Sequence, residues 1–286
     1  MSVAREDGAG ETGTGGAGIA APAPAEPLDA SRPDPEPAGT LRVEVWRGAA
    51  EGRFQSFRVP RRAHQTVLDA VTEIQRTQDP TLAYRFACRV GMCGSCAMTV
   101  NGRPRWTCRT RVAEAAVDGL LRIEPLRNFP VIKDLTADMT RFFEKWRDAK
   151  GYFEPGATPG EDFAVVRPDS PERREADAGI ECISCGICYA ACDVVTWRPD
   201  YLGPAALNRA WTLVNDVRDQ GSDMRIDAVS SDAGCHACHS HMSCTEFCPK
   251  ALQPTYAIAG LKRAMIKRAL SGWFGSRTRP ASGIRP

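Results

Sequence analysis

The twelve cysteines of this 286-residue chain are the residues whose type and spacing point most directly to chemistry. The amino terminus lacks the basic stretch followed by an apolar stretch that marks a secretory signal, so we expect the chain to stay in a reducing compartment. Disulfides are rare there, and cysteines in this number favour the binding of metal ions or iron–sulfur clusters. The spacing between the cysteines distinguishes a site for a single metal ion from a site for an iron–sulfur cluster.

The first group of cysteines has the pattern C-x4-C-x2-C, followed after eleven residues by a fourth cysteine. It comprises Cys88, Cys93, Cys96 and Cys108. Plant-type ferredoxins use this arrangement for a [2Fe–2S] cluster. Gly91 and Gly94 allow the backbone to curl around such a cluster and to point N–H groups at its sulfurs. The alternative is a structural zinc site, but zinc ligands usually come as two short pairs, so the spacing favours the cluster.

The second group has the pattern C-x2-C-x2-C-x3-C, and the third has the pattern C-x5-C-x3-C-P. In the x2/x2/x3 run, the first three thiolates hold one cubane cluster and the fourth reaches over to another cluster. Exchange of fourth ligands therefore predicts two ligand sets. The first, for a [4Fe–4S] cluster, is Cys182, Cys185, Cys188 and Cys248, and the second is Cys192, Cys238 and Cys244. Since the second set has only three thiolates, it favours a [3Fe–4S] cluster.

The order of the three groups resembles that of the iron–sulfur subunits of succinate dehydrogenases and quinol:fumarate reductases. The similarity extends to four segments, Cys88–Thr110, Pro125–Trp146, Glu181–Asp219 and Cys238–Leu252. It implies an α+β chain, with an N-terminal β-grasp plant-type ferredoxin domain followed by an all-helical bacterial-ferredoxin-like domain. It also implies that the dicarboxylate chemistry occurs on a separate FAD-containing flavoprotein subunit. The three clusters would then pass single electrons between that flavin and a quinone held near membrane anchor subunits.

The resemblance further implies that Trp197 and His239 lie at the quinone site. An indole N–H can donate to a quinone oxygen and an imidazole can relay protons, so both residue types suit quinone chemistry. For Trp197 the alternative is plain packing in the core. Two residues depart from the family pattern: Asp193 replaces a usual proline, and His241 replaces a usual apolar residue. An ionised Asp193 should lower the potential of the neighbouring cluster.

His241 and Cys235 leave the ligand assignment open. His241 falls where two-cluster ferredoxins have the missing cysteine, so its imidazole is a possible extra ligand that would complete a [4Fe–4S] cluster. The alternative, which we favour because spacing alone is a weak argument, is a histidine beside the cluster or in the quinone pocket. Cys235 is surplus to the ligand sets. We expect it to be a small buried or half-exposed thiol, with substitution for a ligand as the alternative.

Composition along the chain predicts four parts. Residues 1–39 are acidic and rich in Ala, Gly and Pro, so we expect a disordered tail. A [2Fe–2S] ferredoxin domain follows over 40–145, and a helical [4Fe–4S]/[3Fe–4S] domain over 146–270. Residues 271–286 are predicted to form a basic C-terminal tail.

Local patterns predict the elements that must position the cysteines. Alternating apolar segments predict strands over 41–47, 53–59, 97–100, 103–109 and 121–125. Asn101 and Gly102 have the composition of a tight hairpin turn.

Three patterns predict helices. Thr66 to Asp69 has the form of a capping box that opens a helix. Asp134 is predicted to cap another helix, whose apolar face carries Leu135, Met139, Phe142, Phe143 and Trp146. Residues 255–270 have the pattern of an amphipathic helix with a basic face.

The charge balance bears on partners. Lys and Arg number 37 against 35 Asp and Glu, which gives no general case for nucleic-acid binding. No acid follows Glu246, so we expect the basic end to meet lipid headgroups or an anchor subunit. No run approaches the roughly 18 apolar residues that span a bilayer. The prediction is a peripheral protein on the cytoplasmic side of a bacterial membrane. We interpret the chain as resembling the iron–sulfur subunit of a succinate dehydrogenase, and the alternatives are a quinol:fumarate reductase subunit, an electron-transfer subunit of another flavin oxidoreductase and a zinc-binding scaffold.

Overall fold

A five-stranded sheet forms the centre of the amino-terminal half. The structure is a computed structural model and describes residues 39–156, 162 and 165–277. The strands are β1 (Thr40–Gly48), β2 (Gly52–Pro60), β3 (Ala97–Val100), β4 (Arg103–Trp106) and β5 (Leu120–Glu124). They lie in the order β2-β1-β5-β3-β4, with β1 parallel to β5 and the other neighbouring pairs antiparallel. The five predicted strands are confirmed, although β4 ends three residues before the predicted position 109.

Two helices pack with this sheet, α1 (Val67–Thr77) and the short α2 (Val112–Ala115). Alternate residues of β1 share a core with α1, because successive strand side chains point to opposite faces. The fully buried members from these two elements are Leu41, Val43, Val45, Val67, Ala70, Val71 and Ile74. The capping box is confirmed: Thr66 Oγ1 accepts the N–H of Asp69 at 3.2 Å, and Asp69 Oδ2 accepts the N–H of Thr66 at 3.0 Å.

The hairpin between β3 and β4 turns at the predicted residues. Asn101 and Gly102 both adopt positive φ, +46° and +75°, as this tight turn requires. Beyond Trp106 the chain leaves the sheet, because Thr107 donates both its N–H and its hydroxyl to the carbonyl of Cys96, at 3.2 and 2.8 Å. This pair of hydrogen bonds brings Cys108 next to Cys96.

The prediction that a helix begins at Asp134 is wrong. Asp134 lies in a turn between β6 (Val131–Lys133) and β7 (Thr136–Ala137), and the helix α3 spans only Thr140–Asp148. The Asp134 carboxylate is buried, accepts the N–H groups of Gly48 and Ala83 at 2.9 Å each, and pairs with Arg47 at 3.1 Å. These long-range partners hold Asp134 at φ +52° and override its local capping preference.

The carboxy-terminal half is built from helices in its described residues. They are α4 (Pro171–Ile180), α5 (Ile187–Ala190), α6 (Asp193–Trp197), α7 (Pro204–Val214), α8 (Ser222–Val229), α9 (Ser243–Glu246) and α10 (Pro254–Arg277), with a 3₁₀ helix (Cys235–Ala237) before α9. The buried helix α7 packs against α4, α8 and α10. Within the described ranges, no helix has the length and apolar character needed to cross a membrane. The molecule thus combines a sheet in its first half with helices in its second, as expected.

The helix α10 confirms the amphipathic helix predicted over 255–270 and continues to Arg277. Ile258 and Leu261 are buried, whereas Arg263 and Lys267 are exposed. The predicted tail 1–39 lies outside the described residues except for Gly39, and so do residues 278–286 of the predicted basic tail.

One hydrophobic core joins the two halves of the chain. Phe129 and Phe142 from the first half pack on Tyr189 of α5, with ring centroids 5.0 and 5.6 Å apart. Lys145 of α3 lies in this core with 1% of its surface exposed. Its ammonium group donates to the hydroxyl of Tyr189 at 2.7 Å and to the carbonyls of Pro199 and Tyr201 at 2.7 and 2.6 Å.

Three acceptors satisfy all three donors of the Lys145 ammonium, and burial lowers its pKa to about 8. Its hydrogen bonds connect α3 to α5 and to the segment before α7. The cation thereby ties the first half of the chain to the elements that carry the second cysteine group.

We predict that Lys145→Met destabilises the fold by about 1–3 kcal/mol, because three buried acceptors lose their donor. The control is Lys133→Met, since Lys133 is exposed. Chemical denaturation followed by circular dichroism measures both variants. Equal denaturation midpoints for the two variants would contradict the role given to Lys145.

Candidate iron–sulfur sites

The loop that carries the first cysteine group directs backbone N–H groups at sulfur. Cys88 Sγ accepts the N–H groups of Val90, Met92 and Cys93 at 3.4, 3.3 and 3.3 Å. The loop can curl in this way because Gly91 and Gly94 adopt φ of +75° and +70°. Hydrogen bonds of this kind stabilise a thiolate ligand and tune a bound cluster.

The four thiols of the first group differ in their exposure to solvent. Cys93 is exposed, and the Ser95 hydroxyl, 3.0 Å from its sulfur, lowers the pKa of Cys93 to about 6 together with the Cys88 backbone. Cys96 and Cys108 are 3% and 6% exposed, and burial raises the pKa of Cys108 to about 11. Backbone N–H groups join Cys88 and Cys93 to each other's sulfurs, and Cys108 interacts with Cys96 and Cys88, so the four predicted members of this group lie together.

The second site is a cavity bordered by four thiols from two distant parts of the sequence. Cys182, Cys185 and Cys188 line it together with Cys248. Burial raises the pKa of Cys185 to about 12 and that of Cys188 well above its usual range. This is the grouping that an exchange of fourth ligands predicts.

The third site is a neighbouring cavity lined by Cys192, Cys238 and Cys244. Cys244 Sγ lies 3.2 Å from the hydroxyl of Thr255. Burial raises the pKa of Cys192 and of Cys244. His239 and His241 also line this cavity, on its solvent side, and both are exposed.

The three sites are adjacent to one another. A Cβ atom added to Gly94 would lie 2.7 Å from Cys185 Cβ and 2.9 Å from Cys185 Cα, so the first loop touches the wall of the second site. Cys188, which lines the second cavity, is within electrostatic range of Cys244 in the third. The first site thus adjoins the second, and the second adjoins the third.

The donor chemistry of these sites fits iron–sulfur clusters. Buried thiols with raised pKa values are poor anions on their own, and a cationic iron core compensates the burial of thiolates. Apolar residues form much of the remaining wall of the second cavity, among them Ile183, Ala205 and Leu252. Among the described residues, no three His, Cys, Asp or Glu side chains converge on one ion-sized point. The thiols instead border cavities.

An exposed group of rings lies beside the third site. Trp197 is 66% exposed, so the core-packing alternative for this residue is wrong. Its ring meets that of His241 edge to face at 5.9 Å, and the rings of His241 and His239 are 6.3 Å apart. The structure therefore brings together the two residues predicted for the quinone site and inserts His241 between them.

Cys235 and Asp193 are the two remaining residues singled out in the sequence, and neither lines the second or the third cavity. Cys235 is fully buried in the core, where burial raises its pKa to about 12, and it lines neither the second nor the third cavity. Asp193 pairs with Arg127 at 2.8 Å.

Sequence reasoning missed two asparagines near these sites. Asn128 donates its side-chain N–H groups to the carbonyls of Tyr189 and Cys192, at 3.0 and 3.1 Å, and so fixes the turn at Cys192. Asn208 is buried in α7 and lines the second cavity. An asparagine amid the Ala and Leu residues of a buried helix was the available signal for Asn208.

Comparison with known proteins agrees with this geometry. Residues 40–144 match a model of the 2Fe-2S iron-sulfur cluster binding domain, and residues 179–252 match a model of the 4Fe-4S dicluster domain. The chain is 37% identical over 238 residues to the fumarate reductase iron-sulfur subunit of Mycobacterium tuberculosis, which covers 78% of this chain and 91% of that protein.

It is 38% identical over 204 residues to the succinate dehydrogenase iron-sulfur subunit of Paracoccus denitrificans, covering 71% of this chain and 77% of that protein. A chain of the Mycobacterium smegmatis Sdh1 complex in the apo form superposes with a TM-score of 0.71 at 30% identity, over 80% of this chain and 96% of that one. The two relatives carry different activity names but share one type of subunit. The chain therefore belongs to the family of iron–sulfur subunits of succinate dehydrogenases and fumarate reductases.

Proposed function

We propose that this chain is the electron-transfer subunit of a succinate dehydrogenase, passing single electrons from a flavoprotein subunit to membrane quinone. The adjacency of the three cysteine groups carries the proposal, above all the contact between Gly94 and Cys185. Flavin oxidises succinate by two electrons, whereas each cluster, when bound, takes up one. Since electron tunnelling falls off exponentially with distance, a relay needs closely spaced sites.

The proposed ligand sets follow the grouping of the thiols. Cys88, Cys93, Cys96 and Cys108 would hold a [2Fe–2S] cluster, Cys182, Cys185, Cys188 and Cys248 a [4Fe–4S] cluster, and Cys192, Cys238 and Cys244 a [3Fe–4S] cluster. The shared cavities support the second and third sets. The N–H groups around Cys88 support the first set.

The exposed rings beside the third site form the proposed quinone end. Trp197 would donate its indole N–H to a quinone oxygen, and His239 would relay protons. We assign His241 to the same pocket rather than to the cluster, and its edge-to-face contact with the Trp197 ring supports this choice.

The chain would comprise a β-grasp ferredoxin domain over 40–145 and a helical bacterial-ferredoxin-like domain over 146–270. It would bind a FAD-containing flavoprotein subunit that performs the dicarboxylate chemistry, and membrane anchor subunits that hold the quinone. The complex would lie on the cytoplasmic side of the membrane, with this subunit peripheral.

Purification of the native complex tests the function. We predict that a flavoprotein copurifies, that the complex reduces quinone with succinate, and that succinate reduces the [2Fe–2S] cluster as seen by electron paramagnetic resonance. In the oxidised complex we expect a [3Fe–4S] signal, which would also exclude ligation by His241.

Zinc without iron or labile sulfide would contradict the proposal and establish a zinc-binding scaffold. Faster quinol–fumarate than succinate–quinone turnover would assign the complex to fumarate reduction. A copurifying flavoprotein that oxidises neither succinate nor quinol would assign the chain to another flavin oxidoreductase.

The contact between the first two sites generates a separate prediction. Gly94→Ala should lower succinate–quinone turnover several-fold, because the new methyl group forces the first loop away from Cys185. Gly102→Ala is the control: Gly102 has a similar φ of +75°, but an added Cβ meets nothing within 4 Å.

Both variants bear the strain of alanine at positive φ, about 1–2 kcal/mol, so only the displaced contact separates them. Iron and sulfide analysis corrects turnover for cluster content. Equal turnover in the two variants would argue against the importance of this contact.

A further inference from the structure

Asn208 is a buried polar residue that the proposed ligand sets do not use. It lies in α7, between Leu207 and Arg209, and is 1% exposed. Its side chain lines the cavity that Cys182, Cys185, Cys188 and Cys248 border. A carboxamide at such a position requires hydrogen-bond partners, because burial without them is unfavourable by about 1–3 kcal/mol.

The carboxamide oxygen of Asn208 has no hydrogen-bond partner among the described residues. Other polar groups of the cavity wall have partners. Lys250 pairs with Glu181 at 3.0 Å, and Ser184 directs its backbone N–H at Cys182. The amide oxygen of Asn208, by contrast, is a buried polar atom of a wall residue that lacks a partner within the described structure.

The neighbouring helix α4 makes room for this amide. A Cβ atom on Gly179 of α4 would lie 2.7 Å from Asn208 Nδ2 and 2.1 Å from Thr212 Oγ1. Glycine at this position is thus what allows α4 to lie against the amide. Two helices, α4 and α7, hold the amide at the edge of the cavity.

The chemistry of the expected occupant decides which end of the amide faces it. Cluster sulfides and cysteine thiolates carry negative charge and accept hydrogen bonds, so they repel a carbonyl oxygen and attract an N–H. The two ends of an asparagine amide are nearly alike in shape, and the hydrogen-bond network assigns them. The negative charge of the occupant therefore assigns the N–H end of the amide to the cavity side.

We propose that Asn208 donates a side-chain N–H hydrogen bond to a sulfur of the [4Fe–4S] cluster and thereby raises the reduction potential of that cluster. The inference rests on the proposed function, since it needs the cluster in this cavity. Reduction adds negative charge to the cluster, and a donor aimed at its sulfur stabilises the reduced state more than the oxidised state. Asn208 is a positioning and tuning residue, and it transfers no electron itself.

Redox titration of the native complex, followed by electron paramagnetic resonance of the reduced [4Fe–4S] cluster, tests the proposal. Asn208→Leu keeps the approximate size of the side chain and removes the donor. We expect its midpoint potential to become more negative by about a tenfold change in the reduction equilibrium, equivalent to about 59 mV for one electron. An unchanged potential with the cluster fully loaded overturns the proposal.

Asn215→Leu is the matched control. Asn215 follows α7, donates to the carbonyl of Trp211 at 2.8 Å, and does not line the cavity. The same substitution there should leave the potential of the [4Fe–4S] cluster unchanged. An equal shift in both variants would mean a general effect of destabilising α7 and would overturn the proposal.

A second measurement uses the wild-type protein. It tests whether Asn208 donates to the [4Fe–4S] cluster even if the Asn208→Leu variant fails to load that cluster. The chain contains four asparagines, Asn101, Asn128, Asn208 and Asn215, and of these only Asn208 lines the second cavity. Wild-type complex labelled with ¹⁵N-asparagine should show a ¹⁵N hyperfine coupling to the reduced [4Fe–4S] cluster in pulsed resonance. A [4Fe–4S] signal without that coupling overturns the inference, whereas no [4Fe–4S] signal overturns the proposed function itself.

Discussion

Gly94 has no side chain, and the backbone of the first cysteine loop can therefore lie directly against Cys185. This contact constrains the fold around it. The sheet next to this loop and the helices that flank Cys185 must pack as one body, and the core that joins Phe129 and Phe142 to Tyr189 does this. A chain whose two halves moved independently could not keep the first two sites in contact.

Polar side chains reinforce the junction at the points where the cysteine loops turn. Asn128 binds the carbonyls of Tyr189 and Cys192, and Lys145 binds three acceptors near α5 and α7. Each of these side chains comes from the first half of the chain and fixes backbone in the second. The geometry of the second and third sites thus depends on residues far from any cysteine in the sequence.

Local signals predicted the elements that local chemistry determines. The capping box at Thr66 and the turn at Asn101 need only their immediate neighbours, and both were predicted correctly. The helix expected at Asp134 was not found, because distant partners at Gly48 and Ala83 satisfy that carboxylate. For the same reason no local pattern predicted the contact between Gly94 and Cys185 or the exposure of Trp197.

Cysteine spacing predicted contacts between distant parts of the sequence, which local signals usually do not, because the ligands of one cluster must come together in space. It predicted the grouping of Cys248 with Cys182, Cys185 and Cys188, and the shared cavity agrees. Spacing carries no information about non-ligating neighbours such as Asn208 or Arg127. Those residues became identifiable only once the wall of each cavity was known.

If the first two sites act as one relay, their clusters must lie close enough to couple magnetically, and that coupling can be measured. The microwave power that saturates the reduced [2Fe–2S] signal is measured with the [4Fe–4S] cluster oxidised and then reduced. We expect reduction of the [4Fe–4S] cluster to speed the relaxation of the [2Fe–2S] signal, so that more power is needed to saturate it. Identical saturation in both states, with both clusters loaded, would show that the two sites are too far apart to form one relay.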